Sequence, residues 1–556
     1  MSGNITRLSA RQGIENDLFT RLGNPSMETG DLEELAGEFL IGKAKLHGAR
    51  SFYDRLAPGN EGKKVHVCDG SACLYAGGRP QFLRTLEGHF QEREIGTAAC
   101  LGRCYENAAF QYKGRNYSAR SPREIADILA SGKPVASIPP VITDPENRAL
   151  KTPILTAQYP GFREYYARLR EAIKRDPEDI LREIETSGLR GRGGAGYPVA
   201  MKWQSARNTN SEHKFIICNG DEGDPGAYSD RYLLEQRPHA ILLGMMIGAY
   251  CIGAKWGIIY IRAEYPESIA AMEEAIGELR ANQLIGKNIA GEGFDFDLKV
   301  LEGQGSYLCG EETALIRSIE GQRPEPAMRP PFPAQQGLFD RPTVVNNAET
   351  LATIPFIMEN GGDAYRKIGA QRSTGTKLVC ADGCFKKPGI QEVDMGTPLS
   401  RIVQGFGGFR EPVKALHIGG PLGGLAPVSL LDTLTLDFES FSAHGLSLGH
   451  ASLLGIPERV PILEYIRHLF SFAARESCGK CFPCRLGTYR GYEMFEKAGK
   501  GEYKIDAALL DDLLHTLETG SLCAHGSGIA LPVRNALQYF KEELSKYMTR
   551  HTTRHP

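Results

Sequence analysis

The chain has 556 residues, a formal net charge of −2 and 13 cysteines. This length allows three or four domains, and the near-neutral charge without a long basic run argues against nucleic acid as a partner. The N-terminus, M-S-G-N-I-T-R-L-S, lacks the apolar segment of a secretory signal, and the longest apolar run, residues 240–254, is too short to span a bilayer. We therefore expect a cytoplasmic protein without direct membrane insertion and a buried helix over residues 240–254.

The cysteines fall into two sets of four and five isolated residues. An odd number of cysteines in a cytoplasmic chain argues against a disulfide framework, so the two sets are candidate metal ligands. The isolated cysteines are expected to be small buried hydrophobic side chains: Cys218, Cys251, Cys309, Cys380 and Cys384.

Residues 1–60 show helical patterning and predict a helical leader, and V-H-V at 65–67 predicts a strand that ends at the first cysteine set. This set has the spacing Cys68-x4-Cys73 and Cys100-x3-Cys104. Four thiolates from two loop pairs can close a tetrahedral zinc site or bridge a [2Fe–2S] cluster. Zinc sites more often use C-x2-C pairs, so the spacing favours the cluster. It is similar to the spacing in thioredoxin-like [2Fe–2S] ferredoxins, which implies such a domain over residues 61–135.

A proline-rich stretch over residues 136–160 predicts a linker, and the glycine-dense segment G-L-R-G-R-G-G-A-G-Y follows at 188–197. Its letters match the dinucleotide fingerprint G-x-G-x-x-G, but that fingerprint requires a preceding strand. Here residues 177–187 have apolar positions at helical spacing and a proline at the front, so a helix is expected instead. What remains is a loop whose backbone N–H groups, with Arg190 and Arg192, can cradle phosphates. A flexible surface loop is the alternative.

Four further segments have the composition of ligand-binding loops. A short apolar strand at 215–218 leads into N-G-D-E-G-D-P-G, the position at which an α/β sheet binds ligands. The other three are G-Q-G-S-Y-L-C-G at 303–310, P-P-F-P at 330–333 and T-V-V-N-N-A-E-T at 343–350. Glu311 and Glu312 follow the first of these, and acids favourable at a helix start are the alternative to a binding role for them.

The last third of the chain shows first strand patterns and then helical patterns. Short strands and turn signals over about 376–430 predict a small β-rich domain, and three amphipathic helices follow. Between these helices lies a C-x2-C-x2-C triplet, Cys478, Cys481 and Cys484, with Cys523 further on. Three tightly spaced cysteines and a remote fourth predict a [4Fe–4S] cluster, with zinc as the alternative. Lys480 and Arg485 flank the triplet and would partly offset the negative charge of the cluster.

Taken together, these motifs resemble the flavin- and NADH-binding subunit of respiratory complex I and its relatives in NAD-linked formate dehydrogenases and hydrogenases. The resemblance covers about residues 151–547. It implies an α/β multidomain chain with a thioredoxin-like ferredoxin domain, a Rossmann-like FMN and NADH domain, a ubiquitin-like β-grasp domain and a C-terminal helical bundle that carries [4Fe–4S]. The implied boundaries are 1–60 for the helical leader, 61–135 for the [2Fe–2S] domain, 136–160 for the linker and 161–345 for the FMN and NADH domain. The ubiquitin-like domain would cover 346–435, the helical [4Fe–4S] domain 436–548 and a disordered tail 549–556.

The resemblance also implies the cofactor contacts. FMN and NAD(H) would be held by Gly191, Arg192, Gly193, Gly194, Tyr197, Lys202, Asn219, Asp221, Glu222, Gly223, Tyr307, Gly310, Glu311, Glu312, Phe332, Asn346, Asn347 and Thr350. Among these, Tyr197 and Phe332 match the aromatic positions between which and the flavin NADH would stack, and the family commonly has Phe at the first of them. Glu222 would be the catalytic position at the nicotinamide end, although no acid or base is needed because hydride passes directly between the cofactors.

The predicted function is therefore an NADH:acceptor oxidoreductase subunit, a diaphorase that passes electrons between NAD(H), FMN and iron–sulfur clusters. The fused N-terminal domain argues against ordinary complex I, where that domain is usually a separate chain. We expect a hetero-oligomer with other iron–sulfur subunits and a molybdenum or tungsten formate dehydrogenase subunit, with complex I or an NAD-reducing hydrogenase as alternatives. A zinc-stapled, non-catalytic scaffold is the alternative from another class.

Overall fold

The computed structural model describes residues 18–22, 29–39, 41–57, 60, 62–119, 121–133, 135, 137–143 and 149–549. The strands are β1 (Val65–Cys68), β2 (Ile95–Ala98), β3 (Ala109–Tyr112), β4 (Arg115–Ser118), β5 (Phe215–Gly220), β6 (Trp256–Ile261), β7 (Gly286–Ile289), β8 (Phe294–Glu302), β9 (Thr343–Asn347), β10 (Thr376–Ala381), β11 (Gly389–Asp394), β12 (Val413–Ile418), β13 (Gly424–Pro427) and β14 (Ser452–Pro457).

The helices of the first half are α1 (Leu18–Leu22), α2 (Thr29–Phe39), α3 (Lys43–Arg50), α4 (Ser71–Leu74), α5 (Arg79–Glu87), α6 (Pro122–Ser131), α7 (Phe162–Ala172), α8 (Pro177–Ser187), α9 (Val199–Asn208), α10 (Ser229–Gln236), α11 (Pro238–Ile252) and α12 (Pro266–Ala281). Those of the second half are α13 (Glu312–Ile319), α14 (Ala348–Asn360), α15 (Gly362–Arg366), α16 (Leu399–Gly405), α17 (Phe438–Ala443), α18 (Ile462–Arg475), α19 (Phe482–Gly499), α20 (Ala507–Gly520), α21 (Ala524–Gly528), α22 (Ala530–Tyr539) and α23 (Lys541–Ser545).

The N-terminal sheet has the strand order β2-β1-β3-β4 and carries the first cysteine set. Strand β1 pairs in parallel with β2 and antiparallel with β3. Its inward side chains, Val65 and Val67, pack with Phe82 of α5 and Ile125 of α6 in a separate small core. The strand predicted at 65–67 is confirmed, and it ends on Cys68.

The central sheet has the order β7-β8-β6-β5-β9, and its four strands β8, β6, β5 and β9 run parallel. Helix α11 confirms the buried helix predicted for the apolar run, because nearly all of its side chains are buried. The segment before the glycine-dense loop is helix α8, as its spacing predicted, so the loop does not follow a strand. Because parallel strands end at one edge, the loops after β5 and β9 meet at the same edge of this sheet.

A second five-stranded sheet has the order β11-β10-β14-β12-β13 and extends across the expected boundary at 435/436. Strand β14 lies between β10 and β12, so a boundary at 435/436 would remove a central strand. Helix α14 follows β9 directly and packs with α11 in the main core, so the preceding unit does not end at residue 345 either. Both features depend on contacts between segments distant in the chain, which local strand signals do not report.

The predicted leader and linker are both bonded to their neighbours. In the leader, the Tyr53 hydroxyl donates to the Gln322 carbonyl and is hydrogen-bonded to the Ser318 hydroxyl, at 2.9 Å each. In the linker, the N–H of Ile142 donates to the Ile390 carbonyl of β11 at 2.7 Å. The predicted tail lies outside the described residues from 550 onward. Within the described part of the chain, no helix has the length and apolar character needed to cross a membrane.

Candidate cofactor and redox sites

The predicted ligand loops converge at the C-terminal edge of the central sheet. The Asn219 side chain, after β5, donates to the Gly310 carbonyl at 2.9 Å. The N–H of Arg192 donates to Thr350 Oγ1, also at 2.9 Å. These bonds join four segments that are far apart in the chain, so the structure brings the predicted FMN residues together.

The Asn residues at the end of β9 are fixed by neighbouring elements. Asn346 accepts from the indole N–H of Trp203 at 2.8 Å. Asn347 donates to Asp230 Oδ2 at 2.7 Å, and its side-chain oxygen caps the start of α14. Both amides are therefore held in a defined orientation at the edge where the loops meet.

Two glycines of this site allow backbones to approach closely. A Cβ on Gly193 would lie 3.1 Å from the Cβ of Asn347. A Cβ on Gly223 would lie 2.9 Å from the Tyr307 ring. Larger residues at these positions would have to displace the neighbouring loop.

Two of the predicted contact residues have buried polar atoms without a partner among the described residues. Arg192 is buried and donates from Nη2 to the Tyr365 hydroxyl and the Thr374 carbonyl, but its Nε and Nη1 have no partner among the described residues. Asp221 Oδ2 likewise has none there, and burial raises the pKa of Asp221 well above its usual value. An unpartnered buried polar group costs about 1–3 kcal/mol. The N–H groups of Arg192 fit an anionic group and the carboxyl of Asp221 fits a hydroxyl or N–H group, and FMN has groups of all these kinds.

Glu222 has a different environment from the one its motif suggested. Its carboxylate accepts from the backbone N–H groups of Asp230 and Arg231, at 3.0 Å each, and from Ser229 Oγ at 3.1 Å. It therefore binds the first turn of α10, while burial raises its pKa. The geometry gives Glu222 a positioning role in the loop that follows β5.

Three of the predicted cofactor contacts, Lys202, Glu311 and Glu312, form one charge cluster with Arg329. Glu311 is the N-cap of α13 and accepts from the N–H groups of Thr313 and Ala314. Glu312 pairs with Lys202 at 2.9 Å and with Arg329 at 3.1 Å. Arg329 also pairs with Glu311. Glu311 thus caps the helix and pairs with one cation, whereas Glu312 pairs with two and caps no helix.

Tyr197 and Phe332 are both 51% exposed, in keeping with aromatic groups at an open mouth. Exposed methionines adjoin the same charge cluster in the chain, Met201 next to Lys202 and Met328 next to Arg329. An apolar mouth beside paired charges is suited to a ligand with a flat ring and a polar sugar.

The first cysteine set lies against the loop after β5. Cys100 Sγ and Cys104 Sγ are 3.6 Å apart, close to the roughly 3.8 Å that separates two thiolates on one tetrahedral ion. Hydrogen bonds with Cys100 and Cys73, together with burial, raise the pKa of Cys68, so the four thiols are neighbours.

Arg262 of the segment after β6 connects this set to the flavin loop. Its guanidinium donates to the carbonyl of Glu222 at 2.6 Å and to the carbonyl of Cys100 at 2.9 Å. It also pairs with Glu264 at 3.2 Å. One buried cation thus fixes both loops.

The second cysteine set lies where α19 and α21 begin. Cys481 is the N-cap of α19 and Cys523 the N-cap of α21, so both would place an anionic cluster at positive helix ends. Burial, with Cys481, Cys523 and Cys478 nearby, raises the pKa of Cys484 to about 12. Among the residues that the structure describes, no three metal-ligating side chains are arranged to hold a single ion. Assignment of both sets to clusters therefore rests on their spacing and, for the second set, on the family match below.

The predicted FMN loop at 303–310 also contacts the second cysteine set. The N–H of Tyr307 donates to Glu476, two residues before Cys478, at 2.9 Å. Leu308 packs with Cys478 in a small apolar cluster. The same loop therefore borders the flavin site on one side and the second cysteine set on the other.

Sequence reasoning missed His450, which lies on the loop before β14. Its Nδ1 is 3.1 Å from Asp224 Oδ2, and the Tyr307 hydroxyl donates to Asp224 Oδ1 at 2.7 Å. The neighbouring Gly449 lies 3.5 Å from a Cβ built on Gly194. The β-rich unit, for which no chemistry was predicted, thus contributes a wall to the flavin site. Asp224 stands in the N-G-D-E-G-D-P-G motif, but no local signal identifies its partner 226 positions away.

Two family models match the chain. Residues 184–356 match the Nuo51 FMN-binding domain, and residues 464–547 match the NADH-ubiquinone oxidoreductase-F iron-sulfur binding region. With the geometry above, this defines the class: an FMN- and NADH-binding oxidoreductase subunit with a [4Fe–4S] region.

Curated relatives agree. An NADH-quinone oxidoreductase subunit of Rhizobium meliloti is 40% identical over 384 residues, which are 68% of this chain and 91% of that protein. The NADP-reducing hydrogenase subunit HndC of Solidesulfovibrio fructosivorans is 39% identical over 387 residues, 69% of this chain and 79% of that protein. The chain belongs to the NADH-ubiquinone oxidoreductase-F family.

A solved structure extends the similarity to nearly the whole chain. A chain of the NAD+-reducing [NiFe]-hydrogenase in the air-oxidized state superposes with a TM-score of 0.84 and 28% identity, covering 97% of this chain and 95% of that one. The mixed α/β fold, the oxidoreductase class, FMN, NADH and the [4Fe–4S] region are thereby confirmed. The individual contact residues and the [2Fe–2S] cluster stay predictions.

Proposed function

We propose that this chain is a diaphorase subunit, which exchanges electrons between NAD(H) and a partner subunit. The observation that carries this proposal is the pair of shared loops. The 219–226 loop joins the flavin site to the first cysteine set through Gly226 and Arg262, and the 303–310 loop joins it to the second set through Tyr307 and Leu308. Each cysteine set is thus one loop away from the flavin.

FMN, when bound, exchanges two electrons with NAD(H) and single electrons with iron–sulfur clusters. The chain's part is to hold it and to keep its environment fixed. In this proposal Gly191, Gly193, Gly194, Asn219, Asp221, Gly223, Gly310, Asn346, Asn347 and Thr350 supply backbone and side-chain hydrogen bonds. Arg192 offers the N–H groups of two unpartnered nitrogens, Nε and Nη1, to an anionic group, and Glu222 fixes the loop that faces the ligand. Lys202 is held beside Glu312 and contributes its charge there.

NAD(H) would enter at the exposed mouth formed by Tyr197 and Phe332, with Glu312 at the ribose. Tyr307 lies between the flavin loop and the cubane site and positions Asp224. In this scheme Cys478, Cys481, Cys484 and Cys523 hold [4Fe–4S].

For the N-terminal unit we propose a thioredoxin-like domain in which Cys68, Cys73, Cys100 and Cys104 hold [2Fe–2S]. The parallel β1–β2 pair, the flanking helices α5 and α6 and the paired spacing of Cys100 and Cys104 support this. We propose that the sheet formed by β10 to β14 is the ubiquitin-like unit. This unit then extends beyond residue 435 to include β14.

The partner is proposed to be a catalytic subunit of a molybdenum or tungsten formate dehydrogenase in a hetero-oligomer. The N-terminal unit supports a fused diaphorase over a complex I subunit, because the hydrogenase chain aligns with 97% of this chain whereas the Rhizobium meliloti relative aligns with only 68% of it. The same similarity makes an NAD-reducing hydrogenase the second candidate. The cytoplasmic location stays a prediction.

The test is an anaerobic titration of the purified chain with NADH. A diaphorase is brown, its flavin bleaches with NADH, and it reduces ferricyanide. A zinc-stapled scaffold is colourless and does neither, and that result would refute the proposal.

A further inference from the structure

His450 is a buried side chain in the wall of the flavin site, and one of its two ring nitrogens is unpartnered. The side chain is only 9% exposed. Its Nδ1 lies 3.1 Å from Asp224 Oδ2, whereas its Nε2 is buried without a partner among the described residues. The preceding residue, Gly449, lies 3.5 Å from a Cβ built on Gly194, one of the predicted FMN contacts. The unpartnered nitrogen therefore belongs to a residue that borders the flavin site.

Asp224 determines which ring nitrogen carries the proton. Its Oδ1 accepts from the Tyr307 hydroxyl at 2.7 Å, and a carboxylate can only accept, so the contact with Oδ2 requires the proton on Nδ1 of His450. In the neutral ring, Nε2 then carries the lone pair. The carboxylate also stabilises the imidazolium that forms when Nε2 takes up a proton. The pair thus has the arrangement of an oriented general base.

The proposed reaction leaves a proton in the flavin site. NADH delivers a hydride, which consists of two electrons and one proton. Iron–sulfur clusters accept the two electrons one at a time and take no proton with them. For each NADH converted to NAD+, one proton must therefore leave the site, and in the opposite direction one proton must be supplied.

Two carboxyl groups of the same loop are less suited to accept this proton. The oxygens of Glu222 already accept hydrogen bonds from the first turn of α10. Asp221 has an unpartnered oxygen, but burial raises its pKa well above the usual value, so its carboxyl retains its own proton to higher pH. His450 combines an unpartnered lone pair with a carboxylate that orients it.

We propose that His450 is the proton acceptor of the flavin site. For each NADH oxidised, the Nε2 lone pair forms a bond to the remaining proton, the bond that held this proton to the cofactor breaks, and both electrons pass to the clusters. The imidazolium, paired with Asp224, then gives the proton to water. Reduction of NAD+ uses the same steps in reverse. This inference rests on the proposed diaphorase function.

The experiment measures proton release directly. The full chain is reduced with NADH without oxygen and then mixed rapidly with ferricyanide, a one-electron oxidant, in weak buffer with a pH indicator. His450→Asn keeps an amide that can donate to Asp224 but has no basic nitrogen. We expect it to retain FMN and to be bleached by NADH, while proton release and flavin reoxidation slow at least about tenfold. In His450→Ala, dissolved imidazole should restore part of the lost rate.

His444→Asn is the matched control, because His444 lies in the same unit and its Nδ1 contacts the Ser440 carbonyl at 2.8 Å. This variant should release protons at the unmodified rate. An unmodified rate in both His450→Asn and His450→Ala refutes the proton acceptor alone. If NADH does not bleach the unmodified chain, the diaphorase function is refuted instead.

The pH dependence of the unmodified chain gives a readout that needs no variant. Reoxidation should slow as pH falls, because a protonated Nε2 cannot accept, and His450→Asn should lose this dependence. The titratable groups whose charges act on the His450–Asp224 pair are Tyr307, Asp221, Glu222 and His417. A rate that stays constant from about pH 9 to about pH 5, or an unaltered pH profile in His450→Asn, would overturn the proposal. Should either His450 variant lose FMN, the profile of the unmodified chain decides.

Discussion

The backbone N–H of Gly226 donates a hydrogen bond to the Sγ of Cys104 over 3.2 Å. Hydrogen bonds from N–H groups to ligand sulfurs are one of the means by which a protein sets the potential of a cluster. Here the donor belongs to the loop that also carries Asn219 and Asp221. A movement of this loop would therefore directly change the hydrogen bond to Cys104 of the first cysteine set.

Arg262 is expected to stabilise both sides of this junction. Arg262→Met removes the donors to the Glu222 and Cys100 carbonyls and leaves the largely buried Glu264 without its cation, a loss of about 3–5 kcal/mol. We expect a lower melting temperature, an FMN dissociation constant at least about tenfold higher and an altered circular dichroism spectrum of the [2Fe–2S] centre. Arg280→Met, which breaks an exposed ion pair with Asp297, is the control. An unchanged spectrum together with unchanged FMN affinity would show that Arg262 does not join the two sites.

Gly193→Val should remove the flavin. The first atom of the new side chain would lie 3.1 Å from the Asn347 Cβ, and the rest would extend into the space between the loops. The unmodified protein should release FMN, and not FAD, on denaturation, and the variant should release none while keeping its iron. Gly277→Val is the matched control because a Cβ at Gly277 meets nothing within 4 Å. Flavin retained by the Gly193 variant would place FMN elsewhere.

Cys481→Ser should abolish the [4Fe–4S] centre and leave the flavin reducible. The unmodified chain should contain about six iron and six sulfide per molecule, the sum for one [2Fe–2S] and one [4Fe–4S] centre. The variant should lose about four of each, and NADH should still bleach its flavin while electron delivery to the partner stops. Cys384→Ser, outside both sets and partly buried, should keep the full content. If the folded Cys481 variant were not bleached by NADH, the order of carriers proposed here would be wrong.

Glu312, more than Glu311, should set the preference for NADH over NADPH. A 2′-phosphate beside a carboxylate costs roughly 4 kcal/mol at 4 Å and an effective dielectric near 20, and screening leaves about 1–3 kcal/mol, a preference on the order of 10- to 100-fold. Glu312→Gln should narrow the ratio of kcat/KM for the two nucleotides, mainly by improving NADPH use.

Glu311→Gln is the matched comparison for this prediction. Because Glu311 caps α13, its replacement should lower the melting temperature with a smaller effect on nucleotide choice. An unchanged ratio in both single variants and in the double variant would exclude these glutamates as the residues that contact the ribose. HndC, a similar protein, is named as a subunit of an NADP-reducing hydrogenase.

His417 should make the protein less stable as pH falls. Burial lowers the pKa of His417 from 6.5 to about 4, so the unfolded chain binds a proton at a pH where the folded chain does not. The stability it contributes is present above pH 6.5 and is lost as pH falls through that value toward 4, up to about 3 kcal/mol. In urea unfolding between about pH 7 and pH 5, His417→Gln should show a shallower decline than the unmodified protein. His515→Gln, at an exposed site, should not.

Patterns confined to short segments predicted much of this protein. Helices α8 and α11 and strand β1 follow from spacing and composition within a few residues. The glycine-dense loops and both cysteine sets were identified for the same reason, since each is a local motif that needs particular residue types at fixed spacing.

What the sequence did not reveal depends on contacts between distant segments. Strand β14 is defined by pairing with β10 and β12, and nothing within its six residues indicates a central position. His450 acquires its place only because its loop meets Asp224. In the sequence, Arg262 simply follows an apolar strand. Its two carbonyl partners, Glu222 and Cys100, belong to the central sheet unit and the N-terminal unit. The roles of Glu311 and Glu312 separate only once Lys202 and Arg329 are located.

The contacts of Tyr53 dictate an order of events during synthesis. Its partner Gln322 lies 269 positions later in the chain. At roughly 5–20 residues per second, the ribosome therefore needs about 13–54 s after adding Tyr53 to add the residue to which Tyr53 bonds. Residues 478–523 are made later still. When Cys478 emerges, Phe52, Leu308 and Ala314, the side chains that it packs beside, have already been made. Phe52, which is synthesised long before the second cysteine set, thus forms part of the surface against which Cys478 packs.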